Sequence, residues 1–446
     1  MRTTLKRAAI FLMLICALSV PVFSAGNTES AGEAPAGEAF SLEKVVVLSR
    51  HNIRSPLSTN GSKVDALCAH DWFEWTSNPG ELSLRGAMLE TTMGQYFRLW
   101  LENEGLFPEN YIPEDGAVRF YANGLQRTIA TARYFSAGLL PASVVPVETK
   151  VAYNEMDDTF IPNVCFLNDA YERDVLEEIY EAGGGEGLQG LRASYGEAFE
   201  LIAEVTDMKE TEAFRSGQYG NFLEDDSTVS LEYLKEPSIK GSLSTAVSLA
   251  DALVLQYYEE PDDTKAAFGH ELDEDDWKTI GSILKANLDI RFGTPLLSVN
   301  IAHPILEELY SEIKEEDRKF SFLCGHDSTM ASVLAALGAE DYTLPGAIEP
   351  SVPIGVKLVF EKWVSPEDEA FYKINLVYQS VDQLRTIQPL SLNDPPMIVP
   401  ISFKDAKAGA NGMIPEDDLL GLFEDTIHSY YELEEIYGDV PMDDAA

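Results

Sequence analysis

Cysteine, histidine and positive charge are all scarce in this chain. Its 446 residues include four cysteines, six histidines, and 32 lysines and arginines against 75 aspartates and glutamates, for a formal net charge of −43. Such a surface repels nucleic acid and does not steer anions in general. Any anion site must be assembled locally, so a cluster of arginines carries more information here than it would in a basic protein. Beyond the N-terminus no uninterrupted apolar run approaches the roughly 18 residues of a membrane span. No H-E-x-x-H, Walker A or G-x-S-x-G sequence occurs, and His70, His270, His303 and His428 show no paired metal-ligand spacing. No cysteine is followed by arginine six residues later, which excludes a cysteine-phosphatase loop. These absences lead us to expect no metal and no cofactor in the chemistry.

The N-terminus reads as a secretory signal over residues 1–24. Arg2, Lys6 and Arg7 form a charged start, Ala8 to Val20 is apolar, and Val22-Phe23-Ser24 offers a cleavage site. Residues 25–40, rich in Gly, Ala and Glu, read as a flexible leader. We therefore expect a periplasmic or secreted protein that does not associate with the membrane once the signal is removed. Cleavage leaves Cys68, Cys165 and Cys324. An odd number cannot all pair within one chain, so Cys68–Cys165 is the one bridge left open and the fold relies mainly on its core.

Two short peptides carry most of the chemistry. Arg50-His51-Asn52-Ile53-Arg54-Ser55-Pro56 follows the apolar run Val45–Leu48, and His326-Asp327 follows Phe320–Gly325. Each apolar run reads as a buried strand, and each peptide precedes a stretch with helical patterning. The carboxyl ends of strands are where open α/β sheets bind ligands, and helix N-termini there favour anions. Arg50 and Arg54 offer planar forks that stay charged. His51 between them is a nitrogen nucleophile if a hydrogen bond fixes its tautomer. Asp327 is the one motif carboxylate placed to act as a general acid, which favours a low working pH. Arg127 stands near the start of a helix after a short strand, Arg119 to Ala122. Together the set suits phosphoryl transfer.

Elsewhere the periodicity predicts helices over 85–104, 240–258 and 275–291, and helical segments over 172–215 broken by Gly183-Gly184-Gly185. Residues 320–338 read strand, turn and helix, with Ser328 as the first-turn cap and Gly338 as the stop, and 353–361 and 372–380 read as strands. Strand signals sit at both ends and helix signals in the middle. This predicts an α/β fold: a central mixed sheet flanked by helices in residues 41–155 and 293–446, with a smaller, mostly helical inserted domain in 156–292.

Arg50-His51-Asn52-Ile53-Arg54-Ser55-Pro56 resembles the R-H-G-x-R-x-P motif of the histidine acid phosphatases, and Gly325-His326-Asp327-Ser328 resembles their C-terminal motif. Asn52 stands where most members have glycine, which is the pattern of the bacterial periplasmic glucose-1-phosphatases. Asp71–Trp75, Tyr121–Thr128, Met156–Phe160, Leu255–Glu259 and Val377–Ser380 are also similar to that group, and the likeness spans roughly residues 43–435. The resemblance implies the phosphoglycerate mutase-like, or histidine phosphatase, fold. It implies that His51 becomes phosphohistidine, that Arg50, Arg54, Arg127 and His326 bind phosphate, and that Asp327 donates the proton. It also implies that Glu236, in Lys235-Glu236-Pro237, lies at the substrate pocket. The expected substrate is a small phosphate monoester, first glucose 1-phosphate. The alternatives are an inositol-phosphate (phytase-like) activity, a mutase-like transferase, and an exported sugar-phosphate binding protein without catalysis.

Overall fold

The computed structural model describes residues 40–57, 61–224 and 227–438; the signal and nearly all of the leader lie outside them. The central strand β1 (Ser41–Arg50) is buried along almost its whole length, as a strand covered on both faces must be. Its side chains divide by alternation. Val46 and Leu48 join one apolar cluster, while Val45 and Val47 join the other.

Among the described residues ten strands follow in chain order: β1, β2 (Val118–Ala122), β3 (Val147–Glu148), β4 (Thr228–Ser230), β5 (Ser238–Lys240), β6 (Phe320–Gly325), β7 (Lys357–Val364), β8 (Ala370–Tyr378), β9 (Met397–Pro400) and β10 (Ile414–Pro415). Eight form a mixed sheet in the order β10-β8-β7-β1-β6-β2-β3, with β9 also pairing β8, and β4–β5 is a separate hairpin. The half β1-β6-β2-β3 is parallel, and β7 closes antiparallel on β1. The expected α/β architecture is thus present.

The helices α1 (Lys63–Ala66), α2 (Leu84–Asn103) and α3 (Gln126–Leu139) follow β1 and β2. Ser83 caps α2 by accepting from the Gly86 amide at 3.1 Å. The chain then runs through α4 (Asp169–Ala182), α5 (Leu188–Ser194), α6 (Gly196–Val205), a 3-10 turn (Met208–Glu210), α7 (Glu212–Ser216), α8 (Ser242–Glu259), α9 (Asp263–Ala266) and α10 (Glu274–Phe292). Their apolar faces join the same cluster as Val46 and Leu48. Last come α11 (Pro295–Lys314), α12 (Asp327–Ala336), α13 (Val381–Thr386) and α14 (Glu416–Tyr437). Among the described residues no helix is long and apolar enough to cross a membrane.

Two details differ from expectation. The strand expected over 353–361 begins at Lys357. Pro353 has no amide to give a ladder, and Gly355 has φ 68°, so residues 353–356 turn back toward β1 instead. Ser328 lies in the first turn of α12, whose N-cap is His326. Gly338, at φ 67°, follows the helix end as expected. Cys68, Cys165 and Cys324 are all free thiols.

Candidate active site

Register brings the motifs together. Arg50 on β1 lies opposite Gly325 on β6, and Ala122 on β2 lies opposite Cys324. The three parallel strands therefore end side by side, and the peptides that follow them share one rim. The His51 amide donates to Gly325 O (3.1 Å), the Asn123 amide to Cys324 O (3.0 Å), and the Gly355 amide to His51 O (3.1 Å). Gly86 lets α2 press against this loop, since a Cβ there would meet Ile53 O at 2.4 Å.

His51 Nδ1 lies 2.9 Å from the main-chain carbonyl of Asn52. A carbonyl can only accept, so Nδ1 carries the proton and Nε2 keeps its lone pair. Burial, then Arg127, Arg54, His326 and Arg50, holds the imidazole pKa well below its ordinary value. Both effects favour the neutral, nucleophilic form of His51.

The arginines surround it with different partners. Arg50 donates to Glu349 Oε1 and Val352 O, both at 2.5 Å, and its Nη2 is 3.3 Å from Asp327 Oδ2. Arg54 makes a two-pronged pair with Asp251 on α8, at 3.1 and 3.0 Å. Arg127, at the second position of α3, reaches only Gly80 O, at 3.4 Å, among the described residues. Burial and the neighbouring Arg54 lower the Arg127 pKa to about 10, against the pull of Asp327 and Asp251. It stays cationic. The buried Nε groups of Arg50, Arg54 and Arg127 have no hydrogen-bond partner among the described residues. Arg54 and Arg127 line the same cleft as His51, and such charged guanidinium groups form a receptor for a tetrahedral dianion.

His326 faces His51 edge-on, with ring centroids 5.6 Å apart. Asn123 Oδ1 accepts from the Asp157 amide (3.0 Å), which turns its Nδ2 toward His326 Nε2 at 2.7 Å. Asp327 follows at the first turn of α12, with Oδ1 accepting from the Ser328 amide (2.9 Å) and its side chain 39% exposed. Burial works to raise its pKa, but Arg50, Arg54 and His326 outweigh it and hold the carboxyl below the usual aspartate value.

Glu236 stands on the far wall. It accepts from Arg291 Nη2 (2.9 Å) and from the Ser328 hydroxyl (3.3 Å). Burial raises its pKa against Arg291, and Asp327 adds to the rise. A cleft of about 350 Å³ is lined by His51, Arg54, Arg127, Glu236, His326 and Asp327, together with Asp251, Arg291 and an apolar patch of Val247, Leu284, Leu288 and Phe292. The structure thus gathers all seven candidates, with Arg50 just behind the lining. Sequence reasoning missed Asp251 and Glu349, which orient the two motif arginines, and Arg291. No local spacing marks them, because each pairs with a residue far away in the chain.

Against known proteins, the histidine phosphatase superfamily (branch 2) matches residues 41–178. The glucose-1-phosphatase of Salmonella typhimurium is 32% identical over 385 residues, covering 85% of this chain and 91% of that protein. The glucose-1-phosphatase of Providencia rettgeri is 33% identical over 383 residues, covering 84% and 90%. Among solved structures, the Hafnia alvei phytase in complex with myo-inositol hexakis sulphate superimposes with a TM-score of 0.78 at 26% identity, covering 88% of this chain and 98% of that one. The chain belongs to branch 2 of the histidine phosphatase superfamily. Within it, this is a phosphoric monoester hydrolase of the histidine acid phosphatase kind, acting on small phosphate esters.

Proposed function

We propose that this chain is an exported acid phosphatase that hydrolyses glucose 1-phosphate through a phosphohistidine. The observation that carries the mechanism is His51, neutral, tautomerically fixed by Asn52 O and ringed by Arg50, Arg54 and Arg127. Nε2 attacks phosphorus, the bond from phosphorus to the sugar oxygen breaks, and Asp327 gives its proton to that oxygen. Water then attacks the phosphohistidine, Asp327 takes the water's proton, and His51 is regenerated with release of phosphate. The arginines and His326 stabilise the charge on the transferring oxygens.

Asp327 must be protonated to act as the acid, yet its free carboxyl is held low by Arg50, Arg54 and His326. A bound phosphate dianion offsets those cations, so substrate itself raises the carboxyl toward its working state. The requirement favours acidic conditions, as expected from the sequence.

A monophosphate suits this cleft better than a polyphosphate. Beyond the phosphate clamps the wall presents Asp251, Glu236 and an apolar patch, and Arg291 is already committed to Glu236. Extra phosphates would meet carboxylates. The likeness to a phytase structure holding an inositol polysulphate keeps inositol phosphates as the second reading. Phosphate release from glucose 1-phosphate and from phytate, measured side by side at pH 4–7 with chelator, tests the choice. A higher kcat/KM for phytate reverses it.

A further inference from the structure

The histidines show no metal-ligand spacing along the sequence, but two of them meet in space. His70 follows α1, Asp207 ends the turn after α6, and His270 follows α9. His70 Nε2 lies 2.8 Å from Asp207 Oδ2, and His270 Nε2 lies 3.6 Å from the same oxygen. One ligand atom from each lies within 4.8 Å of the other two. We propose that His70, Asp207 and His270 form a structural site for one divalent transition-metal ion, with zinc the best match.

The geometry suits that ion. Zinc bonds of about 2.0–2.1 Å in a tetrahedron set neighbouring ligand atoms about 3.3 Å apart. The observed 2.8 and 3.6 Å bracket that value, and the two histidines offer ring nitrogens within 4.8 Å of each other, so side-chain rotation draws all three onto one ion. The two imidazole planes lie at 85°, so the rings approach from different directions. His70 stacks on Phe268 at 5.0 Å and 10°, which fixes its ring. The backbones are anchored too. The Ala69 amide donates to Thr206 O (2.9 Å), and the His270 amide donates to Ala267 O (3.0 Å). With side chains 28–37% exposed, water can supply a fourth ligand and the ion has a way in. Two imidazoles and one carboxylate are a borderline donor set that suits zinc, nickel or copper(II) over calcium or magnesium. Binding uses the two Nε2 lone pairs and the ionised carboxylate, with the imidazole protons on Nδ1, and involves no redox step.

None of the three residues lines the catalytic cleft, so the ion's role is to join three loops. The test is calorimetric titration of zinc chloride into the full chain after stripping with EDTA. We expect about one ion per chain, a rise in melting temperature on binding, and affinity at least about tenfold weaker in both His270→Gln and Asp207→Asn. Activity toward an aryl phosphate should stay within about twofold of wild type in both variants. Urea midpoints compared in EDTA check that the variants fold. Cobalt(II) substitution in the unaltered chain should give intense visible bands of a tetrahedral site. Absence of saturable binding, full affinity in both variants, or only the weak spectrum of octahedral cobalt overturns the proposal.

Discussion

Asn52 Nδ2 donates to Glu90 Oε1 at 2.7 Å, inside the core behind the nucleophile. The same oxygen accepts from Lys357 Nζ at 2.7 Å, and neither Glu90 nor Lys357 is exposed at all. Asn52 Oδ1 in turn accepts from the Ile53 amide (2.8 Å), so the side chain locks the loop whose carbonyl holds His51. Gly355 makes room for it, since a Cβ there would meet Asn52 Nδ2 at 2.5 Å. Asn52→Gly should therefore destabilise the fold by about 1–3 kcal/mol, the range for leaving a buried polar group short of a partner. Urea denaturation at neutral pH reads this directly. Activity should also fall, because the loop that fixes the His51 tautomer is loosened. An unchanged midpoint with unchanged kcat would show that this network does nothing for the loop.

His51→Ala should abolish turnover with little change in melting temperature. The imidazole forms a bond to phosphorus, and His326, the other imidazole at this rim, has its Nε2 held by Asn123 Nδ2 at 2.7 Å. Acid quench of the wild type during turnover should trap an acid-labile phosphoprotein that the variant lacks. Near wild-type activity in the variant would sink the mechanism.

Asp327→Asn keeps a hydrogen bond but cannot give a proton. The loss should be about 10²–10⁴-fold for a sugar phosphate, whose alkoxide leaves poorly, and much smaller for an aryl phosphate. Equal losses on the two substrates remove Asp327 from the acid role. A pH arm follows from the sign of its shift. Its folded pKa lies below the unfolded one, so the ionised carboxylate contributes stability above the ordinary aspartate range and loses it as pH falls through the folded value. Asp327→Asn should flatten that acid limb of the stability curve.

Turnover should survive exhaustive chelation. The arginines and His326 supply the positive charge at phosphorus, and the proposed zinc ligands lie off the cleft. Chelator is expected to lower the melting temperature while leaving the initial rate at 25 °C unchanged. A rate lost to chelator and restored by a divalent ion contradicts the assignment.

Glu236→Gln should shift selectivity. The carboxylate can accept from sugar hydroxyls and repels additional phosphates; like charges about 4 Å apart cost roughly 1 kcal/mol even in water. The ratio of kcat/KM for phytate to that for glucose 1-phosphate should rise several-fold, and more at low salt. Because Glu236 is also held by Arg291 and Ser328, a folded variant with an unchanged ratio would make it a purely structural partner of Arg291.

What was legible in the sequence was local. β1 and β6 could be read because a short apolar run stops at a charged peptide, and that alone put His51 and Asp327 at strand ends. Helices with strong periodicity, such as α2, α8 and α10, were legible for the same reason. The loop over 353–356 was misread because Pro353 and Gly355 interrupt an otherwise apolar run. Asp251 and Glu349 were invisible because their partners Arg54 and Arg50 lie 197 and 299 residues away. The cluster of His70, Asp207 and His270 was hidden in the same way, since its members come from three separate turns.

One helix holds both arginines of the first motif. Asp251 on α8 pairs directly with Arg54. Two turns further on, Tyr258 donates to Glu349 Oε2 at 3.0 Å, and Glu349 Oε1 holds Arg50. The N-terminal half of the same helix supplies Val247 and Ser248 to the wall met by the leaving group. Phosphate grip and leaving-group fit are therefore mechanically geared to one rod. A change that tilts or slides α8 would retune both together while every residue of the two motifs stays the same. Enzymes with identical motifs can thus diverge in substrate range through a segment that carries none of the reacting groups.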